Sequence, residues 1–147
     1  MTHSLEVAQI ARSISKYLNL NDDLAETLSL AHDLGHTPFG HAGEEVLNDC
    51  MSNHGGFDHN LQTLRIVMFI EKKYIDFDGL NLSFETLDGL IKHNGPAKDL
   101  IKLESIIGIK SLKNKFKLNK FSCLESQISN IADDIAYNNH DIQDGLK

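Results

Sequence analysis

The 147-residue chain contains two cysteines, Cys50 and Cys123, far apart and without the spacing of a partnered pair. Neither a disulfide framework nor a zinc ribbon is indicated, and both read as core or incidental thiols. No apolar run approaches the roughly 20 residues needed to cross a bilayer, and the N-terminus lacks the charged and apolar blocks of a secretory signal. A cytoplasmic protein without a membrane partner is expected. Positive charge is also scarce: 14 lysines and arginines face 21 acidic residues, leaving a formal net charge of -7. A nucleic-acid binder needs a basic face to neutralise phosphates, so the balance argues against that role. Internal repeats and low-complexity tracts are missing, and strand-like alternation is nowhere sustained.

What is present is the composition of one soluble globular domain, 41% hydrophobic and 24% charged, with a periodicity that belongs to helices. The expected fold is all-α. Val7, Ile10, Ala11, Ile14 and Leu18 fall at helical steps over residues 4–18, with His3 one turn before Val7 on the same face. Asn21 can cap a second helix, with Asp22 and Asp23 placed favourably against its dipole, running through Leu24, Leu28 and Ala31 and stopping near Gly35. Residues 57–73 form a third periodic stretch, Leu87, Leu90 and Ile91 a short fourth, and residues 122–144 a fifth. Asn94-Gly95-Pro96 is a turn signal. The lysine-rich stretch at residues 110–120 reads either as a solvated connector or as a contact for an anionic ligand.

Histidine is the informative residue. There are eight, and five lie between His32 and His59. In AHDLGHTPFGHAGEE, residues 31–45, the adjacent His32 and Asp33 offer an imidazole nitrogen and a carboxylate oxygen. Such a mixed set suits a divalent transition metal or magnesium better than a closed structural zinc site. By itself the pair reads first as a histidine closing a helix beside a solvated aspartate. Two further features bear on it. His3 is polar on an apolar helix face and wants a partner, because an unpaired buried imidazole costs free energy. Asp133, Tyr137 and Asp141 stand at i, i+4 and i+8, on one side of a helix whose apolar row (Ile128, Ile131, Ile135, Ile142) points largely elsewhere. That side is either a wetted face or a pocket wall.

THSLEVAQIAR, LAHDLGHTPFGHAGEE, GGFDHNLQTLRI, GLIKHNGP and LESQISNIADDIAYNNHDIQDG, in this order, resemble successive blocks of bacterial deoxyguanosinetriphosphate triphosphohydrolase-like proteins, of the HD-domain phosphohydrolase superfamily. The resemblance implies an HD-domain helical bundle with a metal site between helices. It assigns His3, His32, Asp33 and Asp133 to one divalent ion: Mg2+, Mn2+ or another transition metal. It places His36, His41, Glu44 and His59 around the phosphate chain, with His41 and Glu44 as a catalytic pair, and puts Tyr137 and Asp141 against the deoxyribose. The implied reaction converts a deoxynucleoside triphosphate and water into the deoxynucleoside and inorganic triphosphate. A divalent ion would activate water and neutralise phosphate oxygens, while a histidine, titrating near neutrality, would supply a proton to the leaving 5'-oxygen. The glycines and proline of the cluster would let a turn carry these side chains from the helix end to the pocket.

The pattern is also departed from. Family members carry an arginine three residues before the first metal histidine, which Met1 leaves no room for, and they continue well past the block ending here at Lys147. Residues 1–147 are therefore expected to form an incomplete HD domain, with impaired turnover and without segments that support the homo-oligomer of the full-length family. Two other readings stand beside the triphosphohydrolase: a non-catalytic metal- or nucleotide-binding remnant or oligomer partner, and an HD-type phosphohydrolase acting on monophosphates or cyclic nucleotides. Superfamily members that cleave cyclic dinucleotides typically read HD-x-G-K, where this chain reads HDLGH.

Overall fold

The computed structural model describes residues 2–96 and 116–146. Six α-helices are present among the described residues and no strand: α1 (Thr2–Tyr17), α2 (Asp22–Ala31), α3 (Gly40–Cys50), α4 (His59–Arg65), α5 (Phe84–Ile91) and α6 (Leu124–Gly145). None is long and apolar enough to cross a membrane.

Three helices form the frame. α1, α2 and α6 pack on one another around Val7, Ala11, Ala25, Ile128, Ala132 and Ala136, all buried. Four of these six are alanines, and such short side chains let helix backbones approach closely. A polar contact crosses the seam: the buried Ser29 hydroxyl of α2 donates to Ala25 O and lies 2.9 Å from the Ser129 hydroxyl of α6. At the surface Arg12 of α1 reaches Asp22, Asp23 and Glu26 across the start of α2. A second core, of Leu28, Leu61, Leu64, Val67, Leu90, Ile91, Phe116 and Leu118, joins α2 to α4 and α5.

Local chemistry sets the boundaries. Asn21 accepts a hydrogen bond from Leu24 N at 3.0 Å, the expected cap of α2; Asp58 and Ser83 cap α4 and α5 in the same way. α2 itself ends at Ala31, and a turn covers the residues to Gly35. The third periodic stretch is shorter than its apolar pattern. α4 stops at Arg65 and continues as one π turn over Ile66–Ile70, where a wider winding replaces the regular ladder.

One expectation is corrected. His36 to Glu45 is not a turn throughout: from Gly40 the chain is helical, as α3, a helix with no buried residue and hence no apolar stripe to betray it. Where the lysine-rich stretch is described, Phe116 and Leu118 are buried in the second core while Lys117, Asn119 and Lys120 face solvent. Residues 110–115 lie outside the described residues. Along the isoleucine row of α6, Ile128 is buried, whereas Ile131, Ile135 and Ile142 are exposed. Cys50 is exposed and Cys123 half-buried, and both are free thiols.

Candidate metal centre and acid/base pocket

α1, α2 and α6 bring His3, His32 and Asp133 together. Their ligand atoms lie within 4.8 Å of one another. His3 Nε2 is 2.7 Å from Asp133 Oδ1, and His32 Nε2 is 3.6 Å from that same oxygen. Asp33, in the turn after α2, places Oδ1 3.4 Å from His32 Nε2. The four residues of the H…HD…D pattern thus converge, although 130 positions separate the first from the last.

His32 Nδ1 lies 2.6 Å from the carbonyl of Ser29. A carbonyl can only accept, so this nitrogen carries a proton and Nε2 is the one aimed at the carboxylates. That is the arrangement in which outer hydrogen bonds orient metal-ligating histidines. Nε2 is buried and lacks a hydrogen-bond partner, and the same holds for Nε2 of His93. The orphaned Nε2 of His32, beside two carboxylates, is a poor arrangement for a protein alone. It fits a divalent cation, and the nitrogen and oxygen donors around it suit several such ions.

The electrostatics are those of such a cluster. Burial by itself raises the pKa of Asp133, but His32, His93 and His3 outweigh it and hold the carboxyl far below the usual carboxylate range. Burial likewise lowers the pKa of His32, and here Asp133 and Asp33 prevail to raise it above the ordinary value.

A second cluster forms where α3 meets α4. The rings of His36, His41 and His59 make a triangle with centroid separations of 5.3, 5.6 and 6.1 Å. Glu44 lies behind them. Its oxygens stand 2.9 Å from His59 Nδ1, its Oε1 accepts the His59 backbone N–H at 2.8 Å, and its Oε2 is 3.5 Å from His41 Nδ1. Burial pushes the Glu44 pKa up, yet the His59 contacts bring it below the ordinary value. Glu44 is therefore tied closely to His59 and loosely to His41, whose side chain is 84% exposed.

Gly35 brings the two clusters side by side. It lies so close to α4 that a Cβ there would come within 2.3 Å of His59 O and 2.4 Å of Thr63 N. With no side chain in the way, Gly35 N donates to the Thr63 hydroxyl at 2.9 Å. The turn that follows Asp33 is thereby pressed against the start of α4, next to His59.

Both clusters open into one cavity of about 460 Å3, lined by His3, His32, Asp33, His36, His41, His59, Asp133, Tyr137 and Asp141. Glu44 is the one residue singled out from the sequence that supports the wall from behind instead of lining it. The lining also contains His93, Asn94, Asn130, Asp134 and His140, none of which the residue pattern singled out. His93 lies within the quoted block GLIKHNGP, but a single histidine after a short helix gives no local signal. His140 pairs with Glu6 of α1 at 2.6 Å, a second tie between α1 and α6 beyond His3 and Asp133.

A profile of the HD domain family matches residues 1–144. Over 147 residues the chain is 72% identical to a deoxyguanosinetriphosphate triphosphohydrolase-like protein of Pelagibacter ubique (strain HTCC1062), covering all of this chain and 40% of that protein. Proteins of the same name from Bradyrhizobium sp. (strain ORS 278) and Caulobacter sp. (strain K31) are 57% and 54% identical, again across the whole chain and over 37% and 38% of their own lengths. The chain spans about 40% of the length of the curated relatives it matches. With a helical bundle, a convergent H…HD…D set and this match over nearly its full length, the chain belongs to the HD domain family.

Proposed function

We propose that the chain carries the metal centre and acid/base pocket of a hydrolase that cleaves deoxynucleoside triphosphates to the deoxynucleoside and inorganic triphosphate. The observation that supports this most is the joining of the two histidine clusters in a single cavity, large enough for a nucleotide's phosphates and sugar. The name shared by the relatives points to the same chemistry.

His3, His32, Asp33 and Asp133 would hold one divalent ion. When bound, that ion supplies Lewis acidity toward phosphate oxygens and makes water more acidic. The remaining work falls to side chains. In the overall reaction a water oxygen bonds to the α-phosphorus, the bond from that phosphorus to the 5'-oxygen breaks, and the 5'-oxygen takes up a proton. His41, at the exposed rim, is the donor of that proton, and Glu44 steadies its Nδ1 side from 3.5 Å. His59, fixed by both Glu44 oxygens, and His36 beside it turn ring nitrogens toward the phosphate chain. Tyr137 and Asp141 follow Asp133 along α6 by one and two turns. In this reading they meet the deoxyribose next to the metal centre, the ring against the sugar and the carboxylate toward the 3'-hydroxyl.

The test is incubation of the purified chain with Mn2+ and each deoxynucleoside triphosphate, followed by chromatography of the products. Inorganic triphosphate is the expected primary product. Pyrophosphate or orthophosphate would mean that a bond within the phosphate chain breaks instead of the one to the 5'-oxygen. Nucleotide binding without any turnover would make the chain a binding module.

A further inference from the structure

His93 takes no part in the reaction proposed above, yet it is among the most confined histidines of the protein. It is 5% exposed, its ring lies 4.9 Å from that of His32, and its Nε2 is buried without a partner. We propose that His93 is a positioning residue of the metal centre: its Nε2–H is aimed at Asp133 Oδ2 and holds that carboxylate with Oδ1 turned to the cation beside His3 and His32. The inference rests on the metal-centre reading of those residues.

Three observations carry it. The first is the division of labour at Asp133, where Oδ1 faces His3 at 2.7 Å and His32 at 3.6 Å while Oδ2 faces His93 Nε2 at 3.7 Å. A ligating carboxylate commonly gives one oxygen to the ion and has the other fixed by a donor. A small rotation of either side chain would close 3.7 Å to the roughly 2.9 Å of an N–H···O bond. Secondly, the ligand atoms in mutual reach are those of His3, His32 and Asp133, and His93 stands outside that set. It flanks the centre from the carboxylate's far side.

Thirdly, the backbone that presents His93 is pinned. A Cβ on Gly89 would come within 2.5 Å of Leu28 Cδ2, so α5 sits tightly on α2, and Gly89 O accepts a bond from the Ser126 hydroxyl of α6 at 3.0 Å. Lys92, next to His93, is buried and pairs with Asp88 at 2.6 Å. A side chain delivered from so fixed a point is suited to orienting another.

The test is a Co2+ titration of the full chain, followed through the visible absorption of the bound ion, for wild type, His93→Ala and His93→Gln. Metal-free circular dichroism checks that each is folded. His93→Ala is expected to weaken Co2+ binding by about 10–100-fold while leaving one ion per chain and the same absorption envelope. His93→Gln keeps a side-chain N–H donor and should recover most of the loss; it also serves as the variant to read if the alanine chain does not fold. Unchanged affinity in His93→Ala, with wild type binding normally, overturns this inference alone. An altered envelope with no rescue by glutamine makes His93 a ligand and overturns the positioning role. Failure of wild type to bind Co2+ overturns the inference together with the metal-centre reading beneath it.

Discussion

At the His3 end of the cavity His3, His32 and Asp133 are carried by the packed helices α1, α2 and α6, whereas at the His41 end the carrier helix α3 buries no residue at all. His32 is 3% exposed and its tautomer is set by Ser29 O, while the side chain of His41 is 84% exposed. The contrast agrees with the roles proposed for the two groups. Metal ligands have to be held in a fixed geometry before the ion arrives, because misplaced donors lose affinity. A proton donor must meet a substrate that enters and leaves, and it becomes enclosed only when phosphates cover it. One end is part of the core; the other is attached to it through Glu44 and His59.

The largest effect that would break this comparison is loss of the central carboxylate. Asp133 faces three histidines, so Asp133→Ala removes a ligand together with the charge that balances them. Metal content by elemental analysis after gel filtration should fall to background, a greater loss than the roughly 10–100-fold expected when only an outer partner is removed. Metal retained at the wild-type level would mean that the ion sits elsewhere.

His41→Ala acts on the opposite end. Hydrolysis should drop by about 10²–10⁴-fold, the usual worth of general acid-base help, with metal content unchanged because His41 belongs to the other cluster. Activity within about tenfold of wild type would remove His41 from the chemistry. Loss of metal would show that the two ends are not separable.

The two ends also differed in how far the sequence revealed them. α1, α2 and α6 carry regular apolar spacing, and Asn21 caps α2, so the frame of the metal end was readable from periodicity, and its HD pair and aspartate-bearing helix from the residue pattern. α3 was not, since Val46 and Leu47 are too few to make a stripe and no side chain is buried. Its start was hidden too: Phe39 precedes it in the left-handed region, at φ 67°, where no capping side chain marks a helix N-terminus. His93 escaped for another reason. Its importance lies in standing 3.7 Å from a carboxylate forty positions away, and residue spacing within one helix cannot report such a contact. The exposed Ile131, Ile135 and Ile142 show the converse, for an apolar row at helical spacing marks a face without saying that anything covers it.

The smallest effect sharpens the comparison through pH. Glu44 and Asp133 both have depressed pKa values, so each contributes stability that is present above its unfolded value and lost as the pH falls through its folded one. The depression at Asp133 is the greater, so its contribution survives to lower pH. Acidification below roughly 4.3, the ordinary glutamate value, should therefore release the Glu44 contacts while Asp133 is still ionised. Amide resonances of residues 40–50 should shift in that window, and those of α1 and α6 around the frame only at lower pH. In Glu44→Gln the group no longer titrates, and the weaker contact to His59 leaves α3 loosened already at neutral pH. Its resonances should then be displaced at pH 7 and nearly insensitive to acid in the same window, with the overall melting temperature changed little because α3 adds nothing to the core. Concerted shifts of α3, α1 and α6 in wild type would show that the His41 end is as firmly built into the bundle as the metal end, and would remove the distinction between a fixed centre and a tethered acid/base helix.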